Sequence, residues 1–373
     1  MVHAGVVFAM LLAPRPAASR LHKCLPSATR SFHIKQCYYR PYRTTSSLSH
    51  TRTEPFPRGS VLRGQSGRTY SVKELLSERR NPLLCVYRAS DKGENYIIKH
   101  MIPGEFEYQQ ELQNPLASCP NLRTVIDTIP KSELFVYGFL ATDLLQISQR
   151  SLPGETRRSI LRSALVGLAE LHDRGIMHTD IKPNSILLDY EETTDGNLSI
   201  SSVQISDLED AVLLPPGHHL KGCLCGNQLW RSPESWARAL QNTPSDVFSF
   251  GVVVVYVMLN DMIFRVRDEE LAADDAWRHI LRRHISYFGD EDGFRGLLRH
   301  IGEENEFFDR LIALAGDFDA DRPRKPFAMW HYVDAELRDL AVKMTNLDPA
   351  RRITAREALE HAWFRQPDLT ETT

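Results

Sequence analysis

The spacing of apolar residues changes once along this chain, and that change limits the fold more than any other feature. Between residues 68 and 140 the apolar residues fall in short runs of β type, at Leu83–Ala89, Asn95–Met101 and Leu134–Leu140. The turn Asp91-Lys92-Gly93 joins the first two. One polar, helix-prone segment, Glu105–Leu116, interrupts them. Later the spacing becomes helical. Ile160, Leu161, Leu165, Leu168 and Leu171 mark one face of a helix over Ser159–Leu171, and Gly175 follows as its stop signal. Further helices are expected at Val247–Leu259, Asp274–His284, Asp334–Thr345 and Thr354–Ala362. Strands first and helices later predict an α+β protein: a small β-rich lobe at 68–140, a larger helical lobe at 141–365, and a short tail at 366–373.

Composition narrows the class. A chain of 373 residues that is 42% hydrophobic and 25% charged can bury a sizeable core, which excludes wholesale disorder and collagen-like repeats. The six cysteines, at 24, 37, 85, 119, 223 and 225, form no CxxC pair. That argues against a disulfide framework or zinc site and for a reducing compartment. A net charge of −3 provides no basic field for nucleic acid. The longest apolar runs, Gly5–Ala13 and Gly251–Leu259, fall well short of the roughly 20 residues a membrane span needs.

Residues 1–60 read as a separate tail. The first acid is Glu54, and eight basic residues precede it. A Ser-, Arg-, His- and Pro-rich stretch without acids has the composition of a mitochondrial transit peptide. Leu11, Leu12, Arg15, Arg20, Leu21 and Lys23 suit a basic amphipathic surface, although Pro14, Pro16 and Pro26 break any long helix. The alternative is a disordered basic arm on a cytoplasmic protein.

Three segments carry chemistry. The densest is Met177-His178-Thr179-Asp180-Ile181-Lys182-Pro183-Asn184-Ser185-Ile186-Leu187-Leu188. An acid followed two residues later by a lysine, then by proline and an apolar strand, fits a phosphoryl-transfer loop. The acid orients the attacking hydroxyl and the lysine offsets charge on the transferred group. The second is Val203-Gln204-Ile205-Ser206-Asp207-Leu208-Glu209-Asp210, a strand ending in a carboxylate. Magnesium takes hard oxygen ligands of this kind. The third is Tyr96-Ile97-Ile98-Lys99, where a strand-borne lysine can hold nucleotide phosphates. Alone, Asp180 would read as a solvated loop acid and Lys99 as an edge-strand lysine.

Together, over about residues 70–365, these segments resemble the eukaryotic protein kinase family, whose signature motifs they follow in order. The resemblance implies a two-lobed fold and transfer of the ATP γ-phosphate to a serine or threonine hydroxyl of a protein substrate. It makes Asp180 and Lys182 the catalytic pair, Lys99 the phosphate-binding lysine, and Asp207 a Mg2+ ligand. Ser185 stands at the second metal position, where the family has Asn. Tyr137 precedes the hinge, and Gly138, Phe139 and Leu140 would offer backbone hydrogen bonds to adenine. Glu111 is the expected helix partner of Lys99, with Glu107 and Glu105 as alternatives. Ser232-Pro233-Glu234 stands for the family's Ala-Pro-Glu, and Arg352 would pair with Glu234. Lys182 follows the serine/threonine pattern. The wording of the motifs is similar to that of divergent kinases of filamentous fungi. Small-molecule kinases share the two acids but lack the Pro-Glu platform and its arginine.

Departures are equally specific. The three glycine positions of the phosphate loop fall on Arg79, Asn81 and Leu84, so side chains replace the close backbone approach that glycine allows. Leu208 and Glu209 replace Phe and Gly after the metal acid. Thr179 replaces the arginine that reads an activation-loop phosphate, and no Ser, Thr or Tyr lies between Asp207 and Arg231. Acceptor and reader are absent together, which implies that phosphorylation of this loop does not switch the protein. The retained Lys99, Asp180, Lys182 and Asp207 favour an active kinase; the missing glycines and Ser185 favour a pseudokinase, the same fold serving as scaffold or allosteric partner.

Overall fold

The computed structural model describes residues 54–194 and 197–365, so most of the expected tail, 1–53, and the C-terminal 366–373 lie outside the described residues. Eleven strands occur among the described residues: β1 (Val61–Arg63), β2 (Thr69–Arg79), β3 (Leu84–Asp91), β4 (Glu94–His100), β5 (Asp127–Ile129), β6 (Leu134–Gly138), β7 (Thr142–Asp143), β8 (Ile176–Met177), β9 (Ile186–Glu192), β10 (Leu198–Ile205) and β11 (Val212–Leu213). The helices are α1 (Phe106–Gln113), α2 (Leu144–Ile147), α3 (Gly154–Asp173), α4 (Pro233–Trp236), α5 (Thr243–Leu259), α6 (Asp268–Ala272), α7 (Ala276–Phe288), α8 (Glu291–Ile301), α9 (Phe307–Gly316), α10 (Ala335–Met344), α11 (Ala355–Leu359) and α12 (Ala362–Arg365). The strand-rich start and helical remainder are those of a two-lobed protein kinase fold.

The chain divides into two compact units. One comprises 54–147 and 184–211, the other 148–183 and 212–365. The boundary therefore falls after Ile147 rather than after Leu140, and the β9–β10 hairpin joins the strand-rich unit. The reason is pairing: β7 pairs with β9, Thr142 opposite Leu188 and Asp143 opposite Leu187.

The strand-rich unit is built on a six-stranded sheet ordered β1-β2-β3-β4-β6-β5, its pairs antiparallel. Side chains alternate across a strand. On one face Tyr70, Val72, Tyr87, Ile98, Leu134 and Val136 form a core. On the other, Ile97, Phe135 and Tyr137 pack with Met101 and with Phe106 of α1. The same alternation sets Lys99 of β4 on the face of Ile97, the face that α1 covers. Phe56, within the expected tail, belongs to this unit: its N–H donates to the Tyr87 hydroxyl at 3.1 Å and the rings lie 5.8 Å apart.

The helical unit is organised around α5. Thirteen of its residues, from Ser245 to Val257, are buried. Asn242 caps it, its side-chain oxygen accepting from Thr243 N at 2.7 Å, with Pro244 in the first turn where a missing N–H costs nothing. α3 and α10 pack against it. α3 ends as expected at Gly175, whose φ of +68° is open to glycine and strained for other residues. A Cβ there would also meet the Leu214 carbonyl at 3.0 Å. Among the described residues no helix is long and apolar enough to cross a membrane.

Candidate active site

In the strand-rich unit β4 delivers Lys99 from the middle of the sheet, between Val86 of β3 and Phe135 of β6. Its ammonium donates to Asp207 Oδ1 at 2.6 Å and to Glu209 Oε1 at 2.8 Å. Burial works to lower the Lys99 pKa, but the carboxylates of Glu209 and Asp207 more than offset it and hold the amine protonated. Asp207 follows β10 at φ +61°, a left-handed conformation that a short polar side chain tolerates. Three bonds fix the approach. Ser206 N donates to Ser185 O at 2.8 Å, Ile205 N to Asn121 O at 2.9 Å, and Arg123 N to Ile205 O at 2.8 Å.

The expected helix partner of Lys99 is corrected by the register of α1. Its buried residues are Phe106, Gln109, Leu112 and Gln113, while Glu111 and Glu107 are exposed. Glu111 is two residues from Gln109, so a helix turns it to the opposite side. The inward positions carry amides instead. Gln109 Nε2 donates to the Glu209 carbonyl at 2.9 Å, and Gln113 Oε1 accepts from Val125 N at 3.2 Å. The second carboxylate on Lys99 thus comes from Glu209, at the position where the kinase resemblance expects glycine. Spacing of Phe106, Gln109 and Gln113 along the helix was the available signal.

Tyr137 is buried on β6, its ring 5.6 Å from Lys99 Nζ and 5.3 Å from the Arg123 guanidinium. Burial and the Glu209 charge push its hydroxyl pKa up, so it stays neutral. Beyond it Gly138 and Leu140 are partly buried and Phe139 is exposed. Arg123, unmarked by any sequence motif, bonds to the Gly138 carbonyl.

Other expected residues fall as follows. Ser185 is wholly buried, and Asn184 turns away, its Nδ2 donating to Asp143 Oδ2 at 3.3 Å. The turn between β2 and β3 holds no glycine. There Arg80 pairs with Glu78 at 2.6 Å and Glu54 at 3.3 Å, a solvated charge cluster.

In the helical unit β8 pairs with β11 and leads into the loop of Asp180. Asp246, buried at the start of α5, accepts from His178 N at 2.7 Å and Thr179 N at 2.9 Å, and bonds the His172 ring at 3.1 Å. Those bonds hold Thr179 at φ +74°, a conformation costing a β-branched residue about 1–3 kcal/mol. Asp180 is then gripped at both oxygens. Oδ1 accepts from Asn227 N at 2.8 Å, and Oδ2 pairs with the Lys182 ammonium. Side-chain exposures of 21% and 23% leave the pair reachable by a substrate. Gly226 adjoins it at φ +77°, where a Cβ would crowd the Thr179 carbonyl at 3.2 Å.

The platform behind the loop is a buried ion pair. Arg352 grips Glu234 with Nη1 to Oε1 at 2.5 Å and Nη2 to Oε2 at 2.7 Å, as the late motif led one to expect. Ser232 caps α4 and is itself buried, its hydroxyl accepting from Ser235 N at 3.3 Å. Cys223 and Cys225 are buried thiols in an apolar cluster with Met177 and Leu214.

The donor chemistry suits the groups that kinases use. Asp207 is a hard oxygen donor, 35% exposed, of the sort magnesium accepts, and Lys99 is a protonated amine suited to phosphate.

Comparison with known proteins agrees with this reading. Similar proteins include an Aurora kinase of Eremothecium gossypii, 24% identical over 326 residues, covering 86% of this chain and 71% of that one. The phosphorylase b kinase gamma catalytic chain (liver/testis isoform) of Bos taurus is 26% identical over 308 residues, covering 75% and 62%. The CaM kinase-like vesicle-associated protein of Homo sapiens is 24% identical over 251 residues, covering 66% of this chain and 41% of its own length. The chain thus spans less than two thirds of two of these three relatives. The model of the protein kinase domain matches residues 60–364, and the chain belongs to the protein kinase family.

Proposed function

We propose that this protein is an active serine/threonine kinase that uses Mg-ATP and phosphorylates a protein hydroxyl. The observation that carries the proposal is the state of the four retained residues. Lys99 is protonated and bonded to Asp207, and Asp180 has one oxygen held by a backbone N–H and the other by Lys182. A chain free of catalytic demand has little reason to keep all four in working chemistry.

Each residue has one task. Lys99 holds nucleotide phosphates as a buried cation. Asp180 accepts the hydrogen bond of the attacking hydroxyl and takes its proton as the new P–O bond forms and the bond to the departing ADP breaks. Lys182 offsets charge on the transferred group. Asp207 would hold magnesium, which neutralises phosphate charge.

The alternative is a pseudokinase. The β2–β3 turn without glycine and the buried Ser185 favour it. Phosphotransfer from Mg-ATP to a generic protein substrate, by the full chain and by Asp180→Asn, separates the two. Activity that the substitution lowers at least about 100-fold supports the kinase; absent or equal activity supports the scaffold.

For residues 1–60 we propose mitochondrial import, supported by a basic composition that lacks any acid before Glu54. A fluorescent fusion that remains in the cytoplasm would refute this.

A further inference from the structure

The carbonyl of Gly138 closes β6 and begins the segment expected to meet a nucleotide base. This oxygen is already taken. Arg123 Nε donates to it at 3.1 Å and Arg123 Nη2 at 2.6 Å. A carbonyl oxygen offers two lone pairs, and two N–H donors use both.

The arginine is held, not loosely draped. Its backbone N–H is bonded to Ile205 O at 2.8 Å, its side chain is buried, and its guanidinium lies over the Tyr137 ring. Among the described residues no carboxylate stands within ion-pair distance of it. Burial works against the charge and lowers its pKa, with Tyr137 and the more distant carboxylates of Asp207 and Glu209 offsetting part of that cost, and the two bonds to Gly138 are its direct hydrogen bonds. A buried cation with two bonds to one carbonyl is costly to displace.

Adenine presents a 6-amino donor, and such a donor needs a free acceptor. We propose that Arg123 is a specificity-determining residue of the nucleotide pocket: by occupying the Gly138 carbonyl it removes the acceptor through which an adenine 6-amino group would be read. The inference rests on the nucleotide-binding reading above. Its consequence is that the 6-substituent of the purine adds nothing to affinity.

The test compares ATP with purine riboside triphosphate, which carries hydrogen at the 6-position, by calorimetry in Mg2+. Wild-type protein is expected to bind the two within about twofold. In Arg123→Val the carbonyl is released, and ATP is expected to bind about fivefold tighter than the 6-H analogue, the worth of one ordinary hydrogen bond. Arg123→Met, which keeps more of the side-chain volume, carries the same comparison if the valine variant does not fold. A fivefold preference for ATP in the wild type would overturn the inference while leaving the nucleotide-binding reading intact. Equal affinities in the folded variants would overturn it too. No binding of either nucleotide to any of the proteins would overturn both.

Discussion

Removal of Arg352 exposes how the helical unit tolerates a buried charge. The side chains of Arg352 and Glu234 are 0% and 1% exposed. Besides the forked pair, Arg352 donates to the carbonyls of Asn346 at 2.6 Å, Pro244 at 3.1 Å and Leu347 at 3.2 Å. Glu234 also accepts from the Ser245 hydroxyl at 2.6 Å. Burial pushes the Glu234 carboxyl up, and Arg352 more than reverses this, so the group titrates below the usual carboxylate range. In Arg352→Met the carboxylate stays buried without its cation, a change that costs about 3–5 kcal/mol. Three carbonyls that lose a charged donor push the value toward the upper end. The double variant Glu234→Leu/Arg352→Met removes both charges and should recover at least about 2 kcal/mol of that loss.

The pH dependence has a definite sign. With its pKa depressed, wild-type Glu234 contributes stability above the unfolded value of about 4.3, lost only as pH falls through the lower folded value. In the variant burial is opposed only by the Ser245 hydroxyl and a backbone bond and no longer by Arg352, so the pKa rises, the acid takes a proton at higher pH, and the deficit shrinks as pH falls. Urea unfolding followed by tryptophan fluorescence at pH 7.5 and pH 5 measures this. A deficit below about 1 kcal/mol, or a double variant no better than the single, would refute the reasoning.

Three further outcomes are expected. Glu209→Gln should lower the Lys99 pKa, read by 13C NMR of methylated lysines, while Glu111→Gln leaves it unchanged; adding Gln109→Glu should restore it, and an unmoved Lys99 would refute the exchange of partner. His284, buried between Phe264 and Phe248, has its pKa lowered from 6.5 to about 3 by burial, with Glu234 raising it and Arg352 lowering it further. The unfolded state therefore binds the extra proton first, and stability falls as pH drops from 6.5 toward about 3. His284→Phe should flatten that slope, and an unchanged slope would count against the assignment. Finally, mass spectrometry should find the buried Ser232 unmodified in active protein; phosphate there, with activity lost on its removal, would end the view that loop phosphorylation is not the switch.

What could be read from sequence was whatever local spacing encodes. β3, β4 and β6 were legible as short apolar runs because both sheet faces are covered there, and α5 announces itself by the apolar run Val252–Leu259. β2 escaped notice because much of its outer half, Glu74–Glu78, faces solvent and its register shifts twice against β3. Leu75 and Leu76, both exposed, blur the alternation further. The motif residues Lys99, Asp180, Lys182 and Asp207 were legible because their chemistry is tied to fixed neighbours. Glu209 and Arg123 were not, since each acts on a partner far along the chain: Lys99 is 110 positions from Glu209, and Gly138 is 15 from Arg123. The misplaced Glu111 shows the cost of choosing by charge rather than by helix register.

The proposed kinase activity requires both Lys99 and Asp180. A double-mutant cycle on kcat/KM for phosphotransfer by the full chain, with Lys99→Met, Asp180→Asn and their combination, tests it most directly. Residues acting as a unit are strongly non-additive, so each single variant should lose at least about 100-fold and the combination little more. A loss of less than about 100-fold in either single variant, or losses that simply multiply in the combination, would contradict it.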